Sequence, residues 1–198
     1  MSFASSFTIL FVCTGNVCRS PLAELLLRQA INTPYIATLS AGTQALVGHQ
    51  MPEIQQDIAA QLGVEAPEEH RAQDLTLGHI ESADLIVAMA REHRSEVVRL
   101  SPRALRRTFT LRELARISEV VPDEDISFSE ESTNLVDNMK ALVEAAAVNR
   151  GLVATSGNPE HDDVIDPYRR SEQTYKKSRD QILTALGKVV TYLNRAAV

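Results

Sequence analysis

An apolar run, Phe7-Thr8-Ile9-Leu10-Phe11-Val12, opens directly onto Cys13-Thr14-Gly15-Asn16-Val17-Cys18-Arg19-Ser20-Pro21, and this stretch constrains the 198-residue chain more than any other. The run reads as a buried strand. Ser20 followed by Pro21 reads as an N-cap with proline at the first helical position, and the helical pattern continues through Leu22, Leu25, Leu26 and Gln29-Ala30. It stops near Asn32-Thr33-Pro34. A loop that hands a strand to a helix in this way gathers backbone N–H groups at the helix N-terminus. Such a partly positive cup holds a tetrahedral oxyanion and favours the thiolate of a cysteine placed in it. Cys13 is therefore expected to be a thiolate nucleophile. Arg19 closes the loop with a planar fork that grips two oxygens at once, which lysine cannot do. Gly15 is expected to permit a backbone angle or a close approach. Asn16 is expected to hydrogen-bond across the loop or to take a left-handed conformation. The candidate phosphate-binding set is Thr14, Gly15, Asn16, Val17, Cys18, Arg19 and Ser20.

Beyond this loop the chain alternates short apolar runs with helical patterns. Strands are expected at 7–12, 35–39, 84–89 and 107–111, and helices at 20–31, 52–62, 91–99 and 171–195. In the last helix Ile182, Leu186, Val189, Val190 and Leu193 fall on one stripe, which marks them as core. The order predicts an α/β fold: a three-layer sandwich with a central four-stranded parallel sheet and the phosphate-binding loop after strand 1. Ligands bind such sheets at the carboxyl ends of the strands, where this loop would lie.

The loop resembles the signature of the low-molecular-weight protein tyrosine phosphatases, whose pattern is Cys-x-Gly-Asn-x-Cys-Arg-Ser-Pro. That family also carries an Asp-Pro pair before its last helix, and Asp166-Pro167-Tyr168 matches it. Further similarities are Ser40-Ala41-Gly42-Thr43 after the second strand, His70-Arg71-Ala72 before a helix, and Leu85-Ile86-Val87-Ala88-Met89 as a central strand. They cover residues 7 to about 118 and about 155 to 195.

The resemblance implies a phosphatase acting through a phosphocysteine on Cys13, with Arg19 and the loop N–H groups holding the equatorial oxygens. A tyrosinate leaves poorly unless protonated, so a carboxylic acid must stand near the leaving oxygen. Glu160, Asp162, Asp163 and Asp166 all crowd one loop, and spacing does not choose among them; Pro167 and the family pattern select Asp166. Members of the family commonly place an aromatic residue in the loop after Ser-Ala-Gly-Thr. This chain has Gln44-Ala45-Leu46-Val47 there, so Leu46 and, opposite it, Tyr168 are the expected substrate walls. Cys18 reads either as a small hydrophobe behind the loop or, as the resemblance implies, as a resolving thiol for Cys13.

Composition sets limits. A net charge of −6 argues against a nucleic-acid partner, and five scattered histidines offer no metal-ligand spacing. Two cysteines, no signal peptide and no apolar run near membrane-spanning length point to a reducing, cytoplasmic setting without a membrane. No cofactor or metal is expected. The partner expected is a phosphotyrosine protein or a small aryl phosphate, and the chain is expected to be a monomer.

The length fits one domain, 1–198, carrying an insertion at about 119–156 that the family pattern does not explain. The first half of the insertion is acidic, with Glu119, Asp123, Glu124, Asp125, Glu130, Glu131 and Asp137, and reads as an exposed loop. The second half reads as a helix with Leu135, Met139, Leu142, Val143 and Ala146 on one face and Gly151 as its C-cap. Because the insertion leads into the loop bearing Asp166, it is a candidate for the pocket rim, and an ordinary surface excursion equally so. Arg99, Arg103, Arg106, Arg107, Arg112 and Arg116 are candidate partners for its acids.

Two other functions share these residues. One is an arsenate reductase relying on an external low-molecular-weight thiol, since no cysteine follows residue 18 to serve an internal relay. The other is a non-catalytic phosphate-binding module, which would need neither a thiolate nor an acid.

Overall fold

The computed structural model describes residues 6–31, 33–128, 134–152 and 158–197; Asn32, Glu130 and Glu131, named above, lie outside the described residues. Strands β1 (Phe7–Cys13), β2 (Ile36–Gly42), β3 (Leu85–Ala88) and β4 (Thr108–Thr110) form one sheet in the order β2-β1-β3-β4. All three pairings are parallel, with Cys13 in register with Gly42 and Val12 with Ala88. The helices are α1 (Arg19–Ala30), α2 (Glu53–Gln61), α3 (Leu77–Ser82), α4 (Arg91–Leu100), α5 (Leu111–Ser118), α6 (Leu135–Asn149) and α7 (Glu172–Leu193).

Strand β1 explains the layering. Its alternate residues Phe7, Ile9, Phe11 and Cys13 enter the larger core with Leu22 and Leu27 of α1, Leu114 of α5 and Ile182, Leu186 and Val189 of α7. Leu10 and Val12 face the other way, against Ile80 of α3 and Val97 of α4. A strand buried on both faces has no polar alternation, which is why its sequence is an unbroken apolar run. Phe7, Phe11 and Phe109 are at most 1% exposed, and truncating any of them to alanine is expected to cost about 3–5 kcal/mol. The carboxyl end of β1, where the strand order changes direction, is the crevice in which sheets of this kind bind ligands.

The four strands and the four expected helices appear, with ends moved by at most three residues. β2 runs on to Gly42, so Ser40, Ala41 and Gly42 belong to the strand rather than following it. The short helices α3 and α5 are additional; each opens on a reciprocal cap, Thr76 with His79 and Thr110 with Glu113.

The entry to α1 differs from the sequence reading. The N-cap is Cys18, and Ser20 is the second helical residue with its hydroxyl turned away from the helix N–H groups. That hydroxyl is 2.9 Å from Cys13 Sγ and accepts from Asn16 Nδ2, so the loop claims it before the helix can.

The helix of the insertion forms as expected and presents Val136, Met139, Leu142, Val143 and Ala146 to the larger core. It stops at Asn149 and its C-cap is Arg150 in ordinary right-handed geometry, so Gly151 supplies no left-handed cap. The Arg150 guanidinium lies 4.2 Å from the Phe109 ring centroid, 3.0 Å from Glu113 Oε1, and donates to the Thr108 carbonyl. Lys140 approaches Asp84, which precedes β3, and Asn138 donates to the Ala196 carbonyl. These contacts put α6 at the amino ends of the strands, away from their carboxyl ends, and among the described residues of 119–156 none lines the cleft at the carboxyl end of β1. Helix α6 therefore stands away from the pocket rim. Of the arginines named above, Arg106 pairs with Glu144 on α6, Arg116 with Asp162 and Arg99 with Glu96; the acidic Glu119 and Asp123 pair instead with Lys188 and Arg195.

Candidate active site

The loop from Cys13 to Arg19 curls at the carboxyl end of β1 and is held by the strand beside it. Thr43 N donates to the Cys13 carbonyl, Gln44 N to Thr14, and Leu46 N to Gly15. This close approach depends on Gly42, where an added Cβ would stand 2.5 Å from the Thr14 carbonyl oxygen. Gly15, singled out by the sequence, has no such constraint: a Cβ there meets only Val17 and Leu46 at ordinary contact distances. The left-handed residue of the loop is Asn16, at φ 52°. Its side chain explains that choice. Nδ2 donates to the Ser20 and Ser40 hydroxyls, and Oδ1 accepts from Gln73 N. His70 Nε2 is 2.7 Å from the Asn16 carbonyl oxygen, and burial holds the His70 pKa below its usual value.

Cys13 Sγ sits inside this curl, 2% exposed, accepting the Asn16 N–H at 3.3 Å and facing the Ser20 hydroxyl at 2.9 Å. Arg19 is 4% exposed. Its Nη1 donates to the Val164 carbonyl and its Nη2 to Thr14 Oγ1 at 3.2 Å, while Nη2 also stands 2.7 Å from Asp166 Oδ2. Asp166 arrives from a loop far along the chain. Val164 N bonds the Met89 carbonyl at the end of β3, Ile165 N bonds Gln181 Oε1 of α7, and Asp166 Oδ1 accepts from Tyr168 N. The three rival acids are placed elsewhere: Asp163 is fastened to Arg91, Asp162 to Arg116, and Glu160 lies exposed outside the cleft.

A cleft of about 160 Å³ brings together Cys13, Thr14, Gly15, Val17, Cys18, Arg19, Leu46, Asp166 and Tyr168. Gln44 also lines it, a residue the sequence reading gave no role. Asn16 and Ser20, expected to bind phosphate, do not line it: both are 0% exposed, and their side chains brace the loop from behind. Cys18 lines the inner wall with its thiol 3.9 Å from the Tyr175 hydroxyl, and burial pushes its pKa up to about 12. A larger groove of about 620 Å³ between α5 and α7 is lined by Arg112, Arg116, Lys176 and Lys188 among others, and by no cysteine. Sequence reasoning passed over His93, which is 2% exposed under the loop with Nε2 2.8 Å from Thr14 Oγ1. A contact spanning 79 positions leaves no local pattern from which to find it.

A cysteine and a guanidinium at the two ends of a curled loop, on the carboxyl end of a parallel sheet, define a class of oxyanion-handling α/β enzymes. Comparison with known proteins makes the class specific. The family described as low molecular weight phosphotyrosine protein phosphatase matches residues 8–149. The chain belongs to this family. The low molecular weight protein-tyrosine-phosphatase Etp of Escherichia coli K12 is 42% identical over 95 residues, which are 48% of this chain and 62% of Etp. A protein-arginine-phosphatase of Geobacillus stearothermophilus is 37% identical over 107 residues, 54% of this chain and 70% of that protein. The solved structure of the YwlE arginine phosphatase from the same organism superposes with a TM-score of 0.67 at 26% identity, covering 96% of this chain and 94% of that one. The family match ends before Asp166, so the case for that residue is geometric.

Proposed function

We propose that this phosphatase hydrolyses aryl phosphate monoesters, phosphotyrosine in a protein among them, through a phosphocysteine on Cys13. The observation that carries the reading is the convergence of Cys13, Arg19 and Asp166 on one cleft of about 160 Å³, although Asp166 is 147 residues from Arg19 in the sequence. In the first step the Cys13 thiolate forms a bond to phosphorus, the bond from phosphorus to the aryl oxygen breaks, and Asp166 gives that oxygen its proton. In the second a water attacks phosphorus, Asp166 takes a proton from it, and the thiolate leaves with release of inorganic phosphate. Arg19 and the loop N–H groups hold the equatorial oxygens throughout.

Leu46 and Tyr168 line the cleft as two walls, and an aryl ring fits between an aliphatic and an aromatic surface. Thr14, Gly15, Val17 and Cys18 supply loop backbone to the anion, while Asn16 and Ser20 keep the loop in shape. The chemistry needs no cofactor. Cys13 must be reduced to act, and both cysteines are free thiols, which supports work in a reducing, cytoplasmic compartment. Among the described residues no helix is long and apolar enough to cross a membrane. We take the working unit to be a monomer, because the cleft is complete within one chain.

Phosphoarginine is a second reading, favoured by the arginine phosphatase among the similar proteins. Turnover of p-nitrophenyl phosphate, phosphotyrosine peptide, phosphoarginine, and arsenate with added thiol, by the parent and by Cys13→Ser, tests the proposal. It requires aryl phosphate turnover above phosphoarginine turnover and its loss in the variant. Preference for phosphoarginine overturns the substrate, arsenate reduction without phosphatase activity overturns the reaction, and binding without turnover overturns catalysis.

A further inference from the structure

We propose that His93 is a positioning residue for phosphoryl transfer, acting through Thr14 to turn a hydroxyl in the cleft into a committed hydrogen-bond donor for the phosphoryl oxygens. This rests on the phosphatase reading of the cleft and adds to it a group that never touches the substrate.

His93 lies in the first turn of α4, behind the oxyanion loop. Its Nε2 is 2.8 Å from Thr14 Oγ1 and 3.4 Å from Glu92 Oε1, whereas its buried Nδ1 has no hydrogen-bond partner among the described residues. The network assigns the tautomer. Hydrogen on Nδ1 would leave an orphaned buried donor, which native structures avoid more strongly than an orphaned acceptor, and it would turn a bare nitrogen lone pair toward the Glu92 carboxylate. Hydrogen on Nε2 serves both oxygens. Protonation of both nitrogens would bury a second cation near Arg19, and burial together with that guanidinium holds the His93 pKa down to about 3. His93 is therefore a neutral donor to Thr14.

Thr14 Oγ1 then receives two hydrogens, from His93 Nε2 and from Arg19 Nη2 at 3.2 Å. A hydroxyl oxygen has two lone pairs and one hydrogen. With both lone pairs engaged, the hydrogen is all that Thr14 can offer, and Thr14 lines the cleft where the phosphoryl group binds. A free hydroxyl would spend part of its time with a lone pair toward the phosphoryl oxygens, which repels them. His93 removes that orientation, and the cost is met in folding rather than on binding. The same bond steadies the Thr14 oxygen against which Arg19 Nη2 rests.

The test is a double-mutant cycle on the full chain, reading kcat/KM for p-nitrophenyl phosphate and the affinity for inorganic phosphate in parallel. His93→Phe keeps the ring and loses the donor; Thr14→Val keeps the shape and loses the hydroxyl. Each single substitution is expected to lower both readings about tenfold, and the pair together no more than Thr14→Val alone. His93→Gln, whose amide reaches as far as Nε2, is expected to restore the readings to within about threefold of the parent. Losses that multiply in the double variant, or a His93→Phe protein with parental values, overturn the proposal. If His93→Phe does not fold, His93→Asn, whose amide stops short of Thr14, is compared with and without Thr14→Val under the same criteria. Phosphate affinity needs no turnover, so the inference is decided even if the parent proves inactive; turnover that survives Cys13→Ser would instead refute the reaction itself.

Discussion

Asp166→Asn separates the two duties of this carboxyl group, because the amide keeps the shape and can neither give nor take the proton. The structure sets both magnitudes. As a general acid Asp166 is worth about 10²–10⁴ in rate when the leaving oxygen needs a proton. A phenol-like leaving group such as tyrosine, with a pKa of about 10, needs it; p-nitrophenolate, which is stable as an anion, does not. The substitution should therefore lower kcat/KM, which reports the first step alone, at least 100-fold for phenyl phosphate or phosphotyrosine and less than tenfold for p-nitrophenyl phosphate. The second duty is the ion pair with Arg19 at 2.7 Å. With Asp166 48% exposed, solvent screens that pair to a few tenths of a kcal/mol up to about 1. An incoming phosphate dianion must compete for Arg19 Nη2, so removing the carboxylate is expected to tighten inorganic phosphate about two- to fivefold. Steady-state kinetics on the two substrates and calorimetric titration with phosphate read the two effects independently. Equal losses of kcat/KM on both substrates would refute the general-acid role, and weakened phosphate would refute the competition at Arg19.

Three further outcomes follow from the same geometry. Arg150→Ala should cost about 2 kcal/mol of stability in urea unfolding, by removing the contacts to Phe109, Glu113 and Thr108, and leave kcat/KM within twofold; a large fall in activity would couple the end of α6 to the site. Tyr168→Ala should reduce the preference for aryl over alkyl phosphates about tenfold, and an unchanged ratio would remove Tyr168 from the wall. Cys18, if it resolves an oxidised Cys13, must do so as a thiol whose pKa is raised to about 12, so formation of the Cys13–Cys18 disulfide after mild peroxide should speed up about tenfold per pH unit from 7 to 9 and be absent in Cys18→Ser. Recovery of activity by thiol in Cys18→Ser equal to that of the parent would leave Cys18 as packing alone.

How far the sequence could be read follows from how local each feature is. Strand β1 and the loop after it are legible because their constraints act between neighbours: six of seven consecutive residues buried, on both faces, then a cysteine and a guanidinium six positions apart. Helix α7 was legible through its stripe for the same reason. Ser20 follows the fold rather than the local rule: a hydroxyl beside proline satisfies the pattern of an N-cap, whereas the loop competes for that oxygen through Asn16 and Cys13. The close approach expected at Gly15 falls at Gly42 instead, because the tightest contact there is with Thr14, 28 residues away, and that pairing exists only once the strands are side by side.

The acidity of histidine ties the buried layer behind the loop to the stability of the whole chain. His93 is neutral in the folded protein down to a pH of about 3, while in the unfolded chain it binds a proton near 6.5. Between these values the unfolded state holds the extra proton, so stability falls as the pH falls, by about 1.4 kcal/mol for each unit below 6.5 from this residue alone. Above 6.5 neither state is protonated there and the contribution is flat. Unfolding free energy measured by urea titration at pH 7, 6 and 5 should therefore decline with an acid slope that His93→Gln removes, the other histidines providing the common background. His70, whose pKa is also lowered by burial, adds in the same direction, so the parent slope should exceed that of the variant without the variant becoming flat. If the two slopes coincide, His93 is not the neutral donor that its contact with Thr14 requires, and the assignment of its tautomer fails with it.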